Sequence, residues 1–366
     1  MVGGWKVWWA LAGAAMVALA TAGCQNDLGP STTPSSTGPI LYAVTGCGGG
    51  PCDGNGLVAI DVAQKRAVAQ AALYGAIALA YRNGQLLVAG GSGTTRISIV
   101  DPVTLAVTRI QTLPWDPSAA AFSSDGSVLY AAHDDGYVSQ VRVSDGAVTA
   151  EIQVAPATGS AGPNQIAGLA VDPTDSFVGI TGFDGVSSSV TAIRISGQTL
   201  AVAFNVASLP FASSNCERQA QGPGFDRAGT ALATFDRNCG AFDVYDLASG
   251  ALDATASVLY ARPYGTSFNA STIADAAGRF WADNAGNLYR TSLTDTGQQA
   301  SFAFSPSTGG LVTDGTGQTI YALKGDPRSN GAFTIDPASG AATQLDWNLD
   351  LVPLGAEIVT VTYAGP

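Results

Sequence analysis

The chain alternates. Apolar and polar residues trade places along short segments, and small turn-formers such as Asp-Gly and Ser-Gly separate one segment from the next. Strict alternation is the mark of a strand, whose successive side chains point to opposite faces, and no stretch shows a long helical period. One phrase recurs: Leu57-Val58-Ala59-Ile60-Asp61, Ile97-Ser98-Ile99-Val100-Asp101, Val138-Ser139-Gln140-Val141-Arg142, Val190-Thr191-Ala192-Ile193-Arg194, Phe242-Asp243-Val244-Tyr245-Asp246, Leu288-Tyr289-Arg290-Thr291-Ser292 and Phe333-Thr334-Ile335-Asp336. Equivalent positions fall at 61, 101, 142, 194, 246, 292 and 336, in steps of 40 to 52 residues. A four-stranded propeller blade takes about 40–50 residues, so the spacing predicts an all-β ring of seven blades.

Each unit has the same inner order. In the third, residues 119–122 are predicted as the innermost strand, 128–132 as the second, 137–143 as the third and 147–154 as the outer one. Ser124-Asp125-Gly126 and Ser144-Asp145-Gly146 supply the positive φ that tight hairpins require. The ends predict closure. Residues 40–44 are followed by a loop and a third-type strand, so unit one lacks its innermost strand; residues 356–363 match one and have nothing after them. Pairing the two completes the N-terminal blade with the C-terminal strand and removes an open edge.

The stretch Phe122-Ser123-Ser124-Asp125-Gly126-Ser127-Val128-Leu129-Tyr130-Ala131-Ala132 resembles the YVTN-type propeller repeat, a relative of the WD40 and NHL repeats. The resemblance runs over residues 40–363 and is clearest in units two, three and seven. It implies the fold alone, because propellers host enzymes, binders and scaffolds alike.

The start of the chain is different. Lys6 precedes an apolar run over residues 7–22 that is short for a membrane span, which needs about 20 residues. It ends in Thr21-Ala22-Gly23-Cys24, which resembles a bacterial lipobox with Thr21 where that pattern prefers Leu. The resemblance implies a lipoprotein signal peptide over 1–23 and a lipid on Cys24. Secretory cleavage after Ala22 is the alternative. Gln25 is not the Asp of inner-membrane retention, which by the same resemblance points to the outer membrane of a bacterial envelope. Residues 24–39 carry several Pro, Ser and Thr and read as a flexible tether, leaving 40–366 for the propeller.

Composition narrows the partners. Charged residues are 12% of the chain against 46% hydrophobic, which excludes a disordered chain, and three Lys with three Glu exclude a coiled coil. A net charge of −12 argues against nucleic acid. Lipid on Cys24 would leave four cysteines, an even number for an exported protein. Cys47 and Cys52 fall in the second-to-third loop of unit one, Cys216 in the connection into unit five, and Cys239 in that unit's second-to-third loop. Four cysteines allow three connectivities. Pairs 47–52 and 216–239 are expected, because units one and five lie on opposite sides of the ring.

Second-to-third loops and blade-to-blade connections share one face. That face also collects the longest irregular segments, 155–165, 207–224, 260–272 and 325–331, and such loops on a rigid scaffold carry binding. Phe211, Arg218, Arg237, Arg262, Tyr264 and Arg328 are the expected anchors, since arginine and aromatic residues dominate interface energetics. The tether enters on the opposite face, so the cysteine-bearing face is expected to point away from the membrane.

Catalytic signals are sparse. His133 is the single histidine, which argues against His-pair metal sites and a Ser-His-Asp triad, and His133-Asp134-Asp135-Gly136 reads as a solvated turn. Some propeller lactonases hold a divalent cation with one Glu and several Asn or Asp in the central channel. Of the three glutamates, Glu151 falls on an outer strand and Glu217 in a loop, while Glu357 opens an innermost strand at the channel mouth. Asp275, Asp283, Asn284, Asn269 and Asp314 could complete a calcium site. The leading expectation is a non-catalytic propeller without a cofactor that binds a protein or envelope component and meets the membrane through its lipid alone. The alternative is a metal-dependent hydrolase or lyase with its site around Glu357.

Overall fold

A computed structural model describes residues 38–46, 56–73, 75–90, 95–133, 136–154, 165–183, 188–206, 220–236, 238–260, 272–284, 287–303, 308–324, 332–349 and 357–365. They form seven four-stranded antiparallel sheets. Six are built from consecutive strands. The seventh takes its innermost strand, Glu357–Ala364, from the far end of the chain and pairs it with Ile40–Gly46, matching Ile40 to Ala364 and Leu41 to Tyr363. The protein is a seven-bladed β-propeller closed as the ends of its sequence predict.

The core is not one cluster but seven, each wedged between neighbouring blades. The strand Ile40–Gly46 shows how alternation builds it. Ile40, Tyr42 and Val44 join Leu86, Val88 and Val100 of blade two, while Leu41 and Ala43 join Tyr321, Leu323 and Ala332 of blade seven. Both faces of the strand are buried, which leaves no place for a charge.

The ring is tied at two radii. On the inner hairpin turns, Asn83 Nδ2 donates to Asp125 O at 2.9 Å, Ser124 N to Asp175 Oδ1 at 2.7 Å and Ala276 N to Gly317 O at 3.0 Å. Arg227 reaches from blade five to blade seven, donating to Gly315 O at 2.7 Å and to Thr316 O. At the outer rim Gln111 Nε2 donates to Ser144 O at 2.8 Å, and Arg290 Nη1 to Pro337 O at 3.0 Å and Ala338 O at 3.1 Å. Between blades seven and one, Asn348 N donates to Lys65 O at 2.9 Å and Ala67 N to Asn348 O at 2.8 Å.

In blade three the strands are Pro117–Phe122, Val128–His133, Tyr137–Arg142 and Val148–Gln153. The second strand therefore runs one residue beyond its predicted end and takes His133 out of the loop.

Candidate functional site

The innermost strands set the channel. They are Glu357–Ala364, Ala76–Arg82, Pro117–Phe122, Gln165–Val171, Ala220–Phe225, Thr272–Ala274 and Thr308–Thr313 for blades one to seven. Six of them carry a bulge close to their first residue, leaving Val359, Ile77, Ser118, Ala167, Gly222 with Pro223, and Gly309 without a partner in the adjoining strand. A bulge adds twist and bends a strand, here at the end nearest the long connections. Across all seven strands the charged residues are Arg82 and Glu357, each at a strand end. Every other residue of these strands is uncharged.

Glu357 stands where the sequence places it, at the loop-face end of its strand, its backbone opposite Gly46; its side chain lies outside the described residues. Two other suggested cation ligands belong to the opposite face. Asp275 is fully buried and caps its own hairpin, accepting from Ala277 N at 2.8 Å, Arg279 Nε at 2.6 Å and Trp281 Nε1 at 2.9 Å. Asp314 likewise accepts from Gln318 N and Thr316 Oγ1, both at 2.9 Å. Asp283 is buried in the second strand of blade six. Among the described residues no three His, Cys, Asp or Glu side chains gather as a metal site. Asn269 and the side chain of Asn284 lie outside them.

The loop face is bounded by strand ends. Val206 and Ala220 flank residues 207–219, Tyr260 and Thr272 flank 261–271, and Lys324 and Ala332 flank 325–331. Phe211, Arg218, Arg237, Arg262, Tyr264 and Arg328 lie outside the described residues, as do Cys24, Cys47, Cys52 and Cys216. Cys239 is described. It sits buried in the turn after the second strand of blade five, where Asp236 Oδ1 accepts from Cys239 N at 2.9 Å and Asn238 N at 3.0 Å. Gly240 completes that turn with φ 65°.

His133 corrects the sequence reading. It is buried, not solvated, stacked against Trp115 at 4.3 Å between ring centres and against Tyr137 at 5.8 Å. Its Nε2 lies 2.9 Å from Ser139 Oγ, which donates to Glu151 Oε2 at 2.8 Å. A carboxylate only accepts, so the serine proton points to Glu151 and the Nε2 proton to the serine. This order is the reverse of nucleophile activation. Ser139 has no exposed surface and its hydroxyl serves as a bridge.

Several aspartates are held below the usual carboxylate range. For Asp101 the main cause is the N–H of Thr104, for Asp125 that of Ser127, and for Asp246 and Asp336 the hydroxyls of Ser249 and Ser339. Each stabilises its own turn, so these shifts mark architecture and not catalysis. Burial pushes the Tyr130 and Tyr289 hydroxyls up to about 12.

Sequence reasoning overlooked Arg290. It is buried on a third strand, with its guanidinium 5.4 Å from the Trp281 ring and 5.2 Å from that of Phe302. Burial pulls its pKa down. An arginine inside a repeated strand phrase is the signal that could have found it.

Comparison with solved structures places the chain in one architectural class. It is similar to a candidate 6-phosphogluconolactonase from Bacteroides fragilis, with a TM-score of 0.65 and 12% identity over 92% of this chain and 100% of that one. A second candidate 6-phosphogluconolactonase, from Bacteroides uniformis, gives 0.63 and 12% over 90% and 100%. The β-propeller domain of Cps50 (Swd1) from Myceliophteria thermophila gives 0.54 and 13% over 74% and 85%. At such identities the likeness is one of fold. No protein-family model matches the chain, and no curated protein matches it.

Proposed function

We propose that this protein is a non-catalytic, lipid-anchored propeller that binds a protein or envelope partner through the face bearing its cysteines and long connections. The observation that carries the reading is topological. Segments 155–164, 207–219, 261–271 and 325–331 all leave strand ends on one side of a ring whose blades are tied at two radii. Rigid scaffold with long loops on one face is the usual build of a binding surface. The neutral channel wall fits the same reading, as does a propeller domain among the similar structures. Cys239, buried and disulfide-bonded, fits a bridge to Cys216 that would staple that face, with Cys47–Cys52 as its companion. Cys24 would carry the lipid and the outer membrane would hold the protein.

Pull-down with the anchored protein and with a variant carrying Arg218→Ala and Arg262→Ala tests the face. Loss of the main partner is expected, and identical partner lists would overturn it. Mass spectrometry showing an unmodified Cys24, or a start at Gly23, would overturn the lipid.

A second reading is favoured by one comparison, the match to the full length of two candidate 6-phosphogluconolactonases. In it Glu357 would hold a divalent cation such as calcium at the channel mouth and the protein would be a hydrolase or lyase. Calcium raising the melting temperature, with the rise lost in Glu357→Gln, would support that chemistry; a temperature unmoved by any divalent cation would remove it.

A further inference from the structure

We propose that ordered water is bound on both sides of the innermost strand of blade five, held by the hydroxyls of Thr181, Thr234, Thr272 and Tyr289. These residues are at most 7% exposed, and among the described residues the hydroxyl oxygen of each meets no hydrogen-bonding group. Buried polar groups in folded proteins are almost always satisfied, by protein or by ordered water, because a dry unpaired hydroxyl keeps its full desolvation cost. Here two such groups face each side of one strand, and polar groups gathered in pairs are what internal water needs.

On the side of blade four, Thr181 pairs with Val190, and Thr234 stands two residues beyond Leu232; Val190 and Leu232 belong to the apolar cluster between blades four and five. Alternation therefore turns both threonines into that interface. They also border the same bulge. Gln221 pairs with Phe235 and Gly224 with Ala233, so Thr234 stands opposite Gly222-Pro223. A Cβ on Gly168 would lie 2.7 Å from Pro223 Cδ, 3.1 Å from Gly222 N and 3.1 Å from Thr181 Oγ1, which brings that hydroxyl against the bulge from blade four.

On the side of blade six, Thr272 pairs with Ala282 and Ala282 with Tyr289, and the last two pack with Phe235 and Phe242 of blade five. Thr272 and Tyr289 thus face blade five from one row. Gly224 lies against that row, since a Cβ on it would meet Thr272 O and, at 3.0 Å, Thr272 Cγ2. Gly222-Pro223-Gly224 offers neither pair a polar side chain, and Pro223 has no N–H to give. Water suits both places, because it donates and accepts as each hydroxyl requires. The strand it flanks starts at Ala220, where the chain returns to the ring from segment 207–219 and Ala220 N donates to Ser188 Oγ of blade four at 3.0 Å. The bound water therefore seats the root of that segment.

Magnetic relaxation dispersion of water around the full-length protein counts internal water of long residence time. Thr181→Val with Thr234→Val, and separately Tyr289→Phe, should each lower the dispersion amplitude and the urea midpoint. Thr181→Ser with Thr234→Ser keeps both hydroxyls and should keep the parent's amplitude. The sign of the midpoint shift is decisive, since exchanging a dry unpaired hydroxyl for an apolar group of the same shape is neutral or stabilising. An unchanged amplitude with a midpoint that holds or rises overturns the proposal. Asp236 and Asp243 are buried on the blade-four side of the same sheet, which makes a cation the rival occupant there. A midpoint raised by sodium, potassium or calcium in the parent and in Tyr289→Phe, but not in Thr181→Val with Thr234→Val, would place a cation on that side and overturn the assignment of water to it.

Discussion

His133 Nε2 lies 2.9 Å from Ser139 Oγ, whose hydroxyl donates a hydrogen bond to Glu151 Oε2 at 2.8 Å. His133 and Ser139 are both buried while Glu151 is 43% exposed, so the bridge joins the interior of blade three to its surface. Ser139→Ala removes the buried hydroxyl that joins the imidazole to Glu151 and should cost about 1–3 kcal/mol. Glu151→Gln keeps an oxygen for the serine and should move stability by about 0.5 kcal/mol or less. Urea unfolding of both variants checks the order; a Gln variant as damaging as the Ala one would show that the carboxylate charge matters more than the bridge.

Closure at two radii makes separate demands on the C-terminal segment. Ile358 is 1% exposed in the cluster between blades one and seven, and Ile358→Ala should cost about 2–5 kcal/mol as the cavity opens. Asn348→Pro removes the donor to Lys65 O and should cost about 1–3 kcal/mol. Both should lower the urea midpoint. An unmoved midpoint in Asn348→Pro would mean that the rim contact contributes nothing and that the inner strand closes the ring alone.

Closure of the inner strand was legible because both partners carry period-two patterns at the two ends of the repeat. That residues 40–44 pair with the C-terminal strand follows from counting strands; the register, Ile40 to Ala364, comes from the structure. The outer closure through Asn348 was not. It rests on one short parallel contact and Leu349 in the core, without any periodic run to announce it. His133 was misread because Asp134-Asp135-Gly136 is strong turn chemistry, while the ring that buries it, Trp115, comes from a connection 18 residues upstream. Arg290 was overlooked for the same reason, since two of its three carbonyl acceptors lie in the next blade. The proposed loop-face anchors lie outside the described residues.

Two glycines separate backbone strain from crowding. Gly197 has φ 60° and open space around the place of a Cβ; Gly250 has φ 71° with Phe204 Cβ at 2.8 Å from that place. Gly197→Ala meets only the left-handed penalty, about 1–2 kcal/mol. Gly250→Ala adds overpacking of about 1–3 kcal/mol against the ring of the neighbouring blade. Thermal unfolding should rank them in that order, and equal losses would show that Phe204 gives way freely.

The turn aspartates make the ring acid-sensitive. Asp101, Asp246 and Asp336 have folded-state pKa values below their unfolded ones, because N–H and hydroxyl donors favour the ionised form. Such groups bind fewer protons when folded. Their contribution is complete above the unfolded value of about 3.9 and is lost as pH falls through the folded values. Stability from urea midpoints should therefore be flat for these groups from neutrality down to about pH 5 and fall below about pH 4. Replacing all three by Asn keeps a side-chain oxygen for each turn and removes the titration. The variant should show a shallower acid limb with little change at pH 7. An acid limb as steep as the parent's would assign it to other carboxylates, Asp125 and Asp314 first among them, whose hydrogen-bond donors also favour the ionised form.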